Sequence, residues 1–142
     1  MTQPKLQNPQ SAFTLVEIVI VLTIIAVLAG GSIYMLKGLI GDAQGQRVDS
    51  DIQTIKVALG AYERNNYFKP PTEEQGLAAL VAQPTSDPQP EKWRQYLEEV
   101  PKDPWGNEYQ FRYPAQRSQT DKYDLFSLNE DGVENEDDIG NW

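Results

Sequence analysis

Apolar residues crowd the front of the chain and then thin into a periodic stripe. Between Lys5 and Lys37 the one charged residue is Glu17, and the run from Ile18 to Leu36 holds 19 residues without a charge, long enough to cross a bilayer as a helix. Farther on, Val48, Ile52, Ile55, Leu59 and Tyr62 recur at spacings of four, three, four and three, which puts one apolar face on an amphipathic helix. All ten prolines lie at Pro4, Pro9 or from Pro70 onward, so residues 10 to 69 lack the strongest helix breaker. The pattern predicts one helix from Phe13 to Arg64, about 78 Å at the α-helical rise, with its second half buried against a head. Gly30, Gly31, Gly38, Gly41 and Gly45 fall between the two halves. An interior glycine costs about 0.8–1.0 kcal/mol relative to alanine, so this stretch is expected either to bend or to let helices pack closely.

Past Asn65-Asn66 the periodicity breaks into short pieces. Thr72 with Gln75 three residues on is an N-cap pattern, predicting a short helix through Leu77, Leu80 and Val81 that Pro84 ends. Trp93, Leu97 and Val100 share a helical face, predicting a second piece from Glu91 to Val100. After the turn Asp103-Pro104-Trp105-Gly106, the residues Tyr109, Phe111 and Tyr113 alternate with Gln110 and Arg112 as in a half-buried strand, and Lys122 to Leu128 reads as its partner. Two or three antiparallel strands on the apolar stripe give an α+β fold. The divisions are a leader at 1–12, a transmembrane and assembly helix at 13–36, an amphipathic helix at 37–66 and a head at 67–142.

Charge and composition then remove function classes. The chain has 142 residues and a net charge of −9. Its twelve Lys and Arg are scattered, which disfavours nucleic acid as a partner. Without histidine or cysteine, the Ser-His-Asp triad, zinc clusters and disulfides are all excluded. Carboxylate chemistry remains, yet nothing in the spacing of Glu98, Glu99, Asp103 and Asp124 selects a catalytic pair, and the chain is expected not to be an enzyme.

Glu17 carries the sharpest signal. A carboxylate in a membrane-length helix is costly, up to roughly 2.5–3.5 kcal/mol at the helix centre, unless a positive group meets it. A cut after Ala12 would create an α-amine on Phe13, which could pair with Glu17 of a neighbouring copy and turn burial into a register device. Such a head-to-tail contact makes a filament when its rotation does not close. Two other readings are a simple membrane anchor and a secretory signal peptide cut after Val27-Leu28-Ala29, releasing a soluble module from Gly30.

The arrangement Ala12-Phe13-Thr14-Leu15-Val16-Glu17 followed by Ile18-Val19-Ile20-Val21-Leu22 resembles the processing signature of type IV pilins and pseudopilins. Three further elements, Pro71-Thr72-Glu73-Glu74-Gln75-Gly76-Leu77, Pro101-Lys102-Asp103-Pro104-Trp105-Gly106-Asn107-Glu108-Tyr109 and Asp137-Asp138-Ile139-Gly140-Asn141-Trp142, narrow the resemblance to the major pseudopilins of type II secretion. The resemblance implies a prepilin peptidase that cuts between Ala12 and Phe13 and methylates the new amine. Ala12 stands where glycine is usual. The resemblance also implies a homopolymer that grows from the lipid of the bacterial inner membrane into the periplasm, together with minor pseudopilins and an inner-membrane assembly platform, to export folded proteins. A type IV pilin of a surface fibre and a soluble secreted calcium-binding module are the alternatives.

Six acids, Glu130, Asp131, Glu134, Glu136, Asp137 and Asp138, fall within nine residues with no base among them. Such a run repels itself unless it is solvated or binds a hard cation, and calcium takes six to eight oxygens from carboxylates and carbonyls. Ile139 and Trp142 suggest that the tail folds back onto the head. By the resemblance, calcium is the cofactor, held by the side chains of Asp131, Asp137 and Asp138 and the backbone oxygens of Leu128 and Val133. The interval from Val133 to Asp137 is one residue shorter than the family pattern.

Overall fold

The computed structural model describes residues 13–142, with the side chains of 32–37 outside that description. The long helix is present as α1, Leu15–Asn65, and runs unbroken through the glycine-rich stretch. At the five expected soft points, Gly30, Gly31, Gly38, Gly41 and Gly45, an added Cβ would meet nothing within 4 Å. The chain divides into two compact units, the first ending at Ile40 and the second running from Gly41 to Trp142.

Among the described residues of the first unit the large apolar side chains face outward. Leu15, Val19, Leu22, Ile25 and Leu28 are all exposed. Completing the expected span takes Ser32 to Leu36, whose side chains fall outside the description. Among the described residues no helix is long and apolar enough to cross a membrane. The leader at 1–12, including Ala12, also lies outside the described residues.

In the second unit the stripe does what its spacing predicts. Val48, Ile52, Ile55, Leu59 and Tyr62 are all buried, and with Leu77, Leu80, Tyr109, Tyr123 and Leu125 they form one core. Removing this apolar surface from water is the main stabilising term, about 25 cal/mol per Å². The sheet has three antiparallel strands in the order β1 (Gln110–Arg112), β2 (Asp124–Ser127), β3 (Ile139–Gly140). Phe111 faces Leu125 and Phe126 faces Gly140 across the ladders. The tail thus returns to the head as the third strand. Trp142 lies on Phe126 with ring centroids 5.5 Å apart. A Cβ on Gly140 would stand 2.5 Å from the Trp142 ring, so only glycine admits this packing.

Two short helices come out differently. Thr72 and Gln75 do form the reciprocal cap, with Gln75 N donating to Thr72 Oγ1 and Thr72 N donating to Gln75 Oε1, both at 3.2 Å. The turn then yields a four-residue 3₁₀ helix, Leu77–Leu80, because Gly76 enters it at φ 53, outside the helical region. From Glu91 to Val100 there is no helix. The backbone N–H groups of Tyr96 and Leu97 both donate to the Leu80 carbonyl, at 2.9 and 3.1 Å, and Trp93 Nε1 donates to Ala79 O at 2.8 Å. Long-range partners therefore replace the local ladder, while Trp93, Leu97 and Val100 still pack on the core.

Candidate functional site

Two places collect the residues singled out by the sequence: the first turn of α1 and the acidic loop. At the first, Thr14 caps the helix, its Oγ1 accepting from the N–H of Glu17 at 3.2 Å. That bond satisfies one of the orphan donors of a helix start. It fixes Glu17 at the third helical position, where the helix dipole favours a negative charge. Phe13 and Glu17 are both exposed, each open to a neighbouring molecule. The capping role of Thr14 is legible as the Thr-x-x-Glu pattern, a signal that the charge of Glu17 alone does not carry.

The acidic loop is built on a rigid base. Asp103, 3% exposed, takes the N–H groups of Trp105 and Asn107 on Oδ1 at 3.1 and 2.7 Å and the Ser127 hydroxyl on Oδ2 at 2.6 Å. Gly106 closes this turn at φ 92, a conformation glycine reaches without strain. Asn107 then extends its side-chain amide to the Asn129 carbonyl at 2.7 Å. The Asp-Pro-Trp-Gly-Asn segment thereby anchors the first residue of the loop.

Within the loop, Asp131 Oδ1 accepts from Val133 N at 3.1 Å and Oδ2 from Asn135 Nδ2 at 2.7 Å. Asn129 Nδ2 donates to the Asp137 carbonyl at 2.6 Å. Asp131, Val133 and Asp137 are exposed, Leu128 is half-buried and Asp138 is buried. Among the described residues no three acidic side chains stand close enough together to hold a metal ion. Two buried oxygens nevertheless have no partner, Asn129 Oδ1 and Asp138 Oδ1. An unpaired buried acceptor is costly, and carboxylate, amide and carbonyl oxygens such as those of this segment are the ligands calcium takes. The loop's chemistry fits a hard cation on these grounds.

The bases absent from the tail itself are supplied by an earlier segment. Arg112 reaches Glu134 with its Nη2 at 2.8 Å, and Arg117 reaches Asp138 with its Nη1 at 3.3 Å. This pairing joins residues some twenty positions apart and left no mark in the local sequence. Asp124 fixes the backbone that carries Arg117, accepting from the N–H groups of Gln116, Arg117 and Ser118 at 2.8–3.1 Å. Burial pushes the Asp124 carboxyl upward, but these three donors and the Arg112 charge outweigh it and hold the group below its ordinary range. Asp103 and Asp124 are thus consumed by structure, while Glu98 and Glu99 lie exposed.

The family model described as type II secretion system (T2SS), protein G matches residues 36–142, and the prokaryotic N-terminal methylation motif matches residues 7–33. The type II secretion system core protein G of Pseudomonas aeruginosa is 41% identical, over 96% of this chain and 97% of that protein. Its counterpart in Klebsiella pneumoniae is 43% identical over 94% of each. The crystal structure of the major pseudopilin from the type 2 secretion system of enterohaemorrhagic Escherichia coli superposes with a TM-score of 0.69 at 44% identity, covering 75% of this chain and 93% of that one. The fold is the pilin-like α+β fold, and the chain belongs to the type II secretion protein G family.

Proposed function

We propose that this member of the type II secretion protein G family is the major subunit of a pseudopilus, assembled from the bacterial inner membrane into the periplasm to help export folded proteins. The observation that carries the reading is the match over the whole head, because a methylation motif alone is common to every pilin-like protein. The chain acts as a building block and not as a catalyst.

In this reading the apolar part of α1 holds the subunit in lipid until it is polymerised. A prepilin peptidase removes residues 1–12, leaving a methylated amine on Phe13. That amine meets the Glu17 carboxylate of the adjacent copy, so two charges that are expensive in an apolar medium neutralise each other only in the polymer. An assembly platform delivers subunits, and minor pseudopilins share the filament.

Calcium, in the same reading, orders the loop at the other end of the chain. Asp138 with Asp131 and Asp137, and the backbone oxygens of Leu128 and Val133, would hold it. The ion would supply positive charge to the acids that Arg112 and Arg117 leave unpaired, and it would stabilise the folded head by mass action.

Deletion and complementation test the function. Loss of the chain should trap exported enzymes in the periplasm, and the intact gene should restore their release. Normal secretion together with lost surface adhesion would point instead to a type IV pilin.

A further inference from the structure

Arg117 stands where the loop's only buried carboxylate needs a cation. The Asp138 side chain is fully buried against an Arg117 side chain that is 27% exposed. Asp138 Oδ2 accepts from the Asn135 N–H at 3.0 Å as well as from the guanidinium, while Oδ1 has no partner. The 3.3 Å ionic contact is long beside the 2.7–2.9 Å usual for a charge-assisted bond. The carboxylate is therefore incompletely satisfied by the protein's own cation.

The guanidinium is also held in place. Its Nη1 donates to the Asn135 carbonyl at 3.1 Å, and its Cζ lies 3.7 Å from the centre of the Trp142 ring, a cation–π contact. Its own backbone N–H is tied to Asp124. A concavity of about 560 Å³ lined by Arg117, Glu134, Asn135 and Glu136 opens beside it. Asp138 is absent from that lining, so an ion approaching from this side meets the guanidinium before the carboxylate.

We infer that Arg117 is an internal competitor for calcium: the guanidinium and the divalent ion draw on the same carboxylate, Asp138, and calcium binding transfers Asp138 from one to the other. The inference rests on the calcium reading above and deepens it. In low calcium Arg117 keeps the loop folded against Trp142, and in high calcium it is left with the ring and the Asn135 carbonyl. The consequence is a weaker and more sharply conditional calcium site than the six acids alone would make, since a fixed positive charge close to a bound cation opposes it.

Calorimetric titration of the full chain in detergent with calcium chloride, beside thermal unfolding in chelator, tests this. Arg117→Gln should bind calcium about ten-fold tighter than the parent, as expected for removing a nearby like charge, yet unfold at a lower temperature in chelator. Arg117→Lys, which keeps the charge, should bind within about two-fold of the parent. Equal or weaker binding by a folded Arg117→Gln protein overturns the competition while leaving the calcium reading intact. No calcium response in the parent or either variant overturns both. In the unaltered chain, the Arg117 side-chain NMR signal should shift saturably with calcium, and an unmoved signal at saturation would also overturn the competition.

Discussion

The two units of this chain solve opposite problems with similar residues. In the C-terminal unit, Val48, Ile52, Ile55, Leu59 and Tyr62 are spent internally, each 3% exposed or less. In the N-terminal unit, residues of the same kinds, Val19, Leu22, Ile25 and Leu28, are each more than half exposed. A helix satisfied by its own head needs no partner, whereas a continuous apolar arm with one acid at its start is complete only in lipid or against other copies. On the proposed reading, folding and assembly fall to separate stretches of one helix.

Substitutions that act on one unit and spare the other sharpen this division. Glu17→Ala should abolish or nearly abolish secretion and filament formation while the unfolding of the head changes by no more than about 0.5 kcal/mol, the usual range for an exposed site. Wild-type filaments from that variant would remove the reason for the charge. Leu59→Ala should do the reverse, costing the head about 2–5 kcal/mol through a buried cavity while leaving membrane insertion and N-terminal processing unchanged. Leu22→Ala, the same change on the arm, should leave head unfolding unaffected, as denaturation by circular dichroism would register.

Asp124→Asn should cost about 1–3 kcal/mol, since an amide cannot replace a carboxylate facing three N–H donors. It should also alter the pH profile. The folded carboxyl of Asp124 is held below its unfolded value, so the unfolded chain takes up the proton first as pH falls. The stabilisation is full above about pH 4, near the unfolded carboxylate value, and is lost as pH drops through the lower folded value. The variant's stability should vary less with pH below that point. Equal acid sensitivity in both proteins would assign acid unfolding to other carboxylates. The smallest effect is expected for Asp137→Ala. It should reduce the calcium-dependent rise in melting temperature while leaving unfolding in chelator nearly unchanged, because Asp137 is exposed and would contribute only through the ion.

What could be read from the chain follows the range of the interactions involved. The stripe from Val48 to Tyr62 is a local periodicity that the structure buries as its spacing requires, whereas past the buried Tyr109 the expected alternation is flattened, with Gln110, Phe111 and Arg112 all half-buried. The Thr72–Gln75 cap was equally visible, although Gly76 limited what followed it to a single 3₁₀ turn. The stretch from Glu91 to Val100 has an apolar spacing that suits a helix, yet the backbone N–H groups of Tyr96 and Leu97 go to Leu80, far back in the sequence. The acidic tail read as lacking bases because Arg112 and Arg117 reach it only once β1, β2 and the turn between them have formed. Ile139 and Trp142 did signal that the tail returns to the head, but not that Gly140 would pair with Phe126 as a third strand.

The division between arm and head depends on the amine that processing would place four residues from Glu17. Intact mass spectrometry of the purified mature protein, with fragmentation of its N-terminus, tests this directly. The account predicts a chain that begins at Phe13 and carries a methylated amine. A chain that begins at Met1 or Gly30 would contradict it, because Glu17 would then have lost either its counter-ion or its place in the protein.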